Sequence, residues 1–281
     1  MAWLVALAIG FALFMWWFST GAILLLVRRG RVTHTAAIAA MSVLVVLALI
    51  GLGATHGDRS VAGAFAGFCY GLIVWAWLEM TFLFGFITGP RTTPCPVPTS
   101  EWQRFRFAVE TIAYHEIAIL FAGIAVVALT WGAENQVGTF TFMVLWAMRV
   151  SAKLNIFYGA PHVTEEFLPP HLAYLGSYFR RGRVSRFFPV SVTVASLLFG
   201  MVVHSAASTS DQFDTISLTL VASLLGLAIL EHWFLVLPIP DAALWKWAVR
   251  DKEGATDGLR PHAEAVSPVS KPSHATVARM R

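Results

Sequence analysis

Seven stretches of the chain are each long and apolar enough to cross a lipid bilayer, and no other feature constrains the fold as hard. They run near 2–27, 35–54, 61–87, 107–131, 138–158, 188–207 and 215–237. A helical span needs about 20 mostly apolar residues. Hydrocarbon offers backbone N–H and C=O groups no partners, so each stretch must satisfy its own and is expected to be a helix.

The composition agrees. Apolar residues fill 57% of the 281 positions and charged residues 13%, against roughly 25% charged in an ordinary globular domain. A surface facing water needs more charge than this. The expected fold class is therefore an all-α integral membrane protein, a bundle of about seven transmembrane helices over residues 1–250. Residues 251–281 turn polar and Pro/Ser-rich, the composition of a disordered tail. The start of the chain lacks the basic region and small-residue cleavage site of a signal peptide, so its first stretch is expected to be a span. Two cysteines, Cys69 in an apolar run and Cys95 in a Pro-rich loop, cannot build a disulfide framework and are expected as free thiols. The formal charge of +4 is spread through short loops and gives no nucleic-acid signal. No internal repeat supports an inverted-repeat transporter.

Basic residues set the expected orientation. Arg28, Arg29 and Arg31 follow the first span, and Arg91, Arg104 and Arg106 lie between the third and fourth. Arg180, Arg181, Arg183 and Arg186 precede the sixth, and Lys246, Arg250 and Lys252 follow the seventh. The alternate loops carry Asp58, Glu134, Asp211 and Asp214, with Arg59 as their one basic residue. This distribution predicts a periplasmic N-terminus and a cytoplasmic C-terminus.

Ionisable groups at membrane depth cost about 2.5–3.5 kcal/mol each on insertion scales and suggest function by default. Here they cluster. Glu79 falls late in the third span; Glu110, His115 and Glu116 fall early in the fourth. Arg149, Lys153 and Asn155 fall late in the fifth, and Glu231 with His232 late in the seventh. In the predicted orientation all lie in the cytoplasmic half of the bilayer, and His204 alone has a comparable place in the other half. Thr111 and His115, four residues apart, share a helix face with Ala118 and Ala122. Arg149 and Lys153 have the same spacing and could pair with Glu79, Glu110 or Glu231. Such pairing would hold helices in register without further function.

The stretch after the fifth span, about 30 residues, is longer than a turn requires. It contains His162, Glu165, Glu166, Pro169, Pro170 and His171. Its aromatic segment 172–179, followed by Arg180, Arg181 and Arg183, suits a short interfacial helix on anionic lipid. His162 and Glu165 have a spacing that lets both reach one metal on a helix. With Glu79, His115, Glu116, His171 and His232 they form a conceivable carboxylate/His site, although adjacent pairs such as His115-Glu116 diverge on a helix. A tetrapyrrole or carotenoid contact is the other cofactor expectation, with His115 or His232 as axial ligand and Trp75, Trp77, Trp102 and Trp233 as flat walls. Aromatic belts at the interfaces explain many of these Trp residues without a pigment.

Several segments resemble the PuhE family: 14–21 (FMWWFSTG), 78–91 (LEMTFLFGFITGPR), 94–96 (PCP), 114–116 (YHE), 148–155 (MRVSAKLN), 165–169 (EEFLP) and 230–238 (LEHWFLVLP). The resemblance runs from the first span to about Arg250 and coincides with the membrane-depth polar set. It implies a multi-pass protein of the bacterial inner (intracytoplasmic) membrane that serves assembly of reaction-centre and light-harvesting complexes, or bacteriochlorophyll supply to them. Its implied partners are subunits of those complexes or pigment-synthesis proteins. Members of that family often carry Asn at the position of His162, which counts against His162 as a ligand.

Three functions follow as expectations. The first is an assembly factor using the polar site and the basic 180–186 loop. The second is an integral-membrane enzyme acting on a lipophilic pigment or precursor, with Glu116, Glu165 or Glu231 as acid/base or metal ligand. The third, an ion pathway, needs polar groups through the whole bilayer and finds few in the periplasmic half.

Overall fold

The computed structural model describes residues 1–97, 99–163, 168–239 and 241–249. Seven of its helices are long and apolar enough to cross a membrane: α1 (Ala2–Val27), α2 (Arg31–Ala54), α3 (Val61–Leu83), α4 (Glu101–Leu129), α5 (Val137–Tyr158), α6 (Phe187–Ser208) and α7 (Gln212–Phe234). A 3-10 helix, Pro170–Tyr178, lies between α5 and α6, and a 3-10 turn over Asp241–Trp245 leads into the short α8 (Lys246–Val249). Residues 250–281, which include the tail expected at 251–281, lie outside the described residues.

Every apolar window coincides with one helix, but several ends move for local reasons. α3 stops at Leu83 rather than 87, because Gly85 adopts a φ of 78° and its N–H turns back to Phe82. That left-handed conformation suits glycine. α4 starts at Glu101 rather than 107, in polar sequence, because Ser100 and Gln103 form a capping box. α7 starts at Gln212 under an Asp211 cap. The aromatic segment 172–179 is helical, as expected, but it does not simply lie on lipid. Leu172, Leu175 and Tyr178 are buried, and Leu172 and Leu175 pack with Phe82 and Ile112.

α3 and α7 are the most buried helices and form the centre. α7 packs on α1, α3, α5 and α6; α3 also packs on α2 and α5. Small residues permit the closest crossing. Gly67 and Gly71 of α3 face Gly138 and Thr141 of α5, and a Cβ on Gly71 would stand 2.7 Å from the Gly138 carbonyl oxygen. Close approach of this kind gives van der Waals packing in a solvent where the hydrophobic effect gives helices no reason to associate. The outer faces of α2 and α6 keep Val43, Leu47, Ile50, Leu197 and Met201 exposed, as a lipid-facing surface would.

One end of the bundle carries the Arg-rich loops, and two arginines there, Arg104 and Arg91, are clamps. Arg104 Nη2 donates to the carbonyls of Phe157 (2.8 Å) and Tyr178 (2.5 Å), with its guanidinium 4.2 Å from the Phe157 ring centre. Arg91 Nε donates to Tyr178 Oη at 2.8 Å. The loop after α3 is pressed onto α4: the His115 N–H donates to Thr88 O at 2.9 Å, and a Cβ on Gly89 would collide with the Glu110 and Thr111 backbone.

Candidate functional site

Near the Arg-rich end a cavity of about 490 Å³ opens between the late halves of α1, α3, α5 and α7 and the early part of α4. Its walls are mostly apolar, among them Trp75, Phe82, Leu145, Met148 and Leu224. Into it reach Glu79, Arg149, Lys153 and Glu231. Three helices, α3, α5 and α7, deliver these charges to one place because each carries its polar residues late, and their late halves meet.

The charges are mostly paired, Arg149 with one of the expected carboxylates and Lys153 with Glu116, which was not among them. Arg149 Nη2 donates to Glu79 Oε2 at 2.8 Å, and Lys153 Nζ donates to Glu116 Oε1. Both pairs join neighbouring helices across a medium where an isolated charge is expensive. Glu110 is not part of this set: it pairs with Arg106 at 3.1 Å and Arg91 at 3.9 Å. Glu231 differs from the other carboxylates. It is exposed toward the cavity, and its Oε1 accepts a hydrogen bond from Trp16 Nε1 at 2.6 Å.

The histidines are placed differently. His115 is fully buried, its ring 4.6 Å from that of Phe82, and neither ring nitrogen has a hydrogen-bond partner. His232 is buried too, but bonded: Nδ1 donates to Ala228 O at 2.8 Å, so in the neutral ring Nε2 accepts from Ser151 Oγ at 2.9 Å. Neither ring has a face or nitrogen open to the cavity, so neither fits the expected role of axial ligand to a tetrapyrrole. His171 lies at the end of α3, Nε2 donating to Leu83 O at 3.0 Å. Asn155 is buried between α5 and α6, its amide bonded to Ser151 O and Ser191 Oγ at 3.0 Å each. His162 is among the residues that line the cavity. Glu165 and Glu166 lie outside the described residues. Among the described residues no three His, Cys, Asp or Glu side chains converge as metal ligands.

Two tryptophans escaped the sequence reading. Trp16 holds Glu231, and Trp245 stacks edge-on against Trp16 with ring centres 5.3 Å apart. Trp245 Nε1 donates to Trp17 O at 3.0 Å, and Trp17 Nε1 donates to Leu244 O at 2.9 Å. These reciprocal bonds strap the segment after α7 across α1 beside the cavity. The signal was the Trp16-Trp17 pair within a segment of the family resemblance, where neither ring was singled out.

An apolar chamber with fixed ion pairs and one singly bonded carboxylate can bind an amphipathic molecule, and Glu231 can exchange a proton there. A protein of Rhodobacter capsulatus described as an uncharacterized 30.4 kDa protein in the puhA 5′ region is 39% identical over 273 residues, 96% of this chain and 98% of that protein. No solved structure matches. A family model described as a protein of unknown function, DUF3623, matches residues 2–256. With most of its length matched, the chain belongs to the DUF3623 family.

Proposed function

We propose that this protein is a membrane factor for assembling photosynthetic reaction-centre and light-harvesting complexes, or for supplying bacteriochlorophyll to them. The observation that carries the reading is the cavity, an apolar chamber with charged groups at membrane depth. The relative from the puhA 5′ region hints at a photosynthesis-related role. In this reading the protein sits in the bacterial inner (intracytoplasmic) membrane with its N-terminus periplasmic, its C-terminus cytoplasmic and the polar site in the cytoplasmic half. The Arg-rich loops support that orientation. Its partners are then complex subunits or pigment-synthesis proteins that meet the cytoplasmic leaflet.

A second reading is favoured by Glu231 alone. A carboxylate held by Trp16 and open to an apolar chamber is suited to acid/base work on a lipophilic pigment or precursor. One pair of strains separates the two. With Glu231→Gln in the chromosome, a membrane-inserted variant of an enzyme accumulates an unprocessed pigment intermediate. An assembly factor gives fewer complexes and no new intermediate. Normal complexes and pigments in a deletion strain would end both readings.

A further inference from the structure

Two side chains of opposite sign in the cavity have unfinished bonding. Arg149 donates to Glu79 from Nη2, yet 40% of its side chain stays exposed. Glu231 accepts from Trp16 and is also exposed. Both line the same chamber, whose remaining walls are largely apolar. Its volume, about 490 Å³, falls in the range of small-molecule sites, roughly 300–1,000 Å³.

The charges restrict what can enter. An anionic head group meets Glu231 and the Glu79 carboxylate as well as Arg149. A cationic one meets Arg149 and Lys153 as well as the two carboxylates. Either also gives up its hydration on entering an apolar chamber, which is costly without a full set of partners. A neutral group that both accepts and donates satisfies Arg149 and Glu231 together. A lone hydrocarbon would leave both unsatisfied, at the cost of a buried unmade hydrogen bond.

We propose that the cavity binds a lipophilic alcohol from the membrane. Its apolar body lies against Trp75, Phe82, Leu145 and Leu224, and its hydroxyl accepts from Arg149 and donates to Glu231. The proposal rests on the polar site as a functional one but not on the photosynthetic process. A protein that binds such a ligand and leaves complexes untouched would separate the two.

Retinol and retinoate make a suitable probe pair, since they share one apolar body and differ in the head. The full chain in phosphatidylcholine nanodiscs is titrated with each at alkaline pH. Energy transfer from protein tryptophan to the bound polyene is read, with empty nanodiscs as the blank. Saturable retinol binding at one per chain is expected, with retinoate about tenfold weaker. Glu231→Gln, which keeps shape but removes the charge, should retain retinol and close most of that tenfold gap. Ala152→Phe, which adds a ring to the cavity wall, should abolish binding. Binding no better than to empty nanodiscs, retinoate equal to or tighter than retinol, or a gap unchanged in Glu231→Gln each overturns the proposal. The wild-type comparison decides even if the Phe variant does not fold.

Discussion

Arg149 meets Glu79 at 2.8 Å inside a cavity at the Arg-rich end of the bundle, whereas Arg59 meets Asp211 and Asp214 at 3.2 and 3.1 Å at the opposite end. The distances are similar, but the surroundings are not. The Glu79 side chain is 11% exposed; those of Asp211 and Asp214 are 48% and 40% exposed. In water a lost partner is replaced by solvent, and exposed pairs contribute little. At membrane depth nothing replaces it, so a pair that adds little net stability becomes expensive to break. Two cavities differ as well. A larger one of about 700 Å³ lies between α1, α6 and α7 and has no charged side chain among the described residues of its lining.

Breaking the inner pair should have the largest effect. Arg149→Ala leaves Glu79 buried with no cation in contact, and about 3 kcal/mol of destabilisation is expected. Thermal unfolding in detergent would measure it. Glu79→Gln combined with Arg149→Gln should be much milder than either single change, because it leaves no lone charge. A double variant as unstable as Arg149→Ala would show that the pair is not what distinguishes this end.

Next in size are two changes that test packing at each end without touching charge. Gly89→Ala at the Arg-rich end would force a methyl group into the α4 backbone, where no side chain can yield. Overpacking of this kind costs about 1–3 kcal/mol. Asn135 at the other end ties three elements: Nδ2 donates to Asp58 O at 3.1 Å and Gly63 O at 2.9 Å, and Oδ1 accepts from Val137 N–H at 3.2 Å. Asn135→Ala leaves buried backbone groups unpaired, and about 1–3 kcal/mol is expected. Proteolysis of the α2–α3 loop should quicken in this variant and not in Gly89→Ala.

The sequence made the helices legible because hydrophobic length is a direct readout of bilayer thickness. It made their ends less legible, since Gly85 acts through a backbone angle that hydropathy does not register. The Ser100 and Gln103 box was visible and was overshadowed by the apolar window. For the site, depth alone placed Glu79, Glu116, Arg149, Lys153 and Glu231 near one another, because spans run in fixed register with the membrane. Depth carries no information about rotation. It therefore could not tell that Glu231 faces the chamber, that His115 packs on Phe82, or that His232 is bound to Ser151. Rotation is set by packing against neighbours that are distant in sequence, as Trp16 and Glu231 are.

The smallest effect should come from the outer cluster, and pH gives it a sign. Asp58 accepts from the Ser60 N–H at 2.8 Å, and the Ser60 hydroxyl in turn caps α3 through Gly63 N–H at 3.0 Å. The bonds from the Ser60 backbone and side chain hold the Asp58 carboxyl below its ordinary value of 3.8. A carboxyl held down in the folded state adds stability above that ordinary value and loses it as pH falls through the folded one. Arg59 is held in its charged form by the Asp214 hydrogen bond and does not titrate in this window. Acidification from 3.8 downward should therefore loosen the start of α3, and Asp58→Asn should remove that component of the acid sensitivity. Hydrogen exchange of the first turn of α3, compared at neutral and acid pH, would read it. Arg59→Gln should shift unfolding less than any change above, and salt should erase the difference, since exposed pairs are screened within about 10 Å at 0.1 M. An Arg59→Gln effect as large as Arg149→Ala and indifferent to salt would mean that the loops of this end are not in water, and the contrast between the two ends would fail.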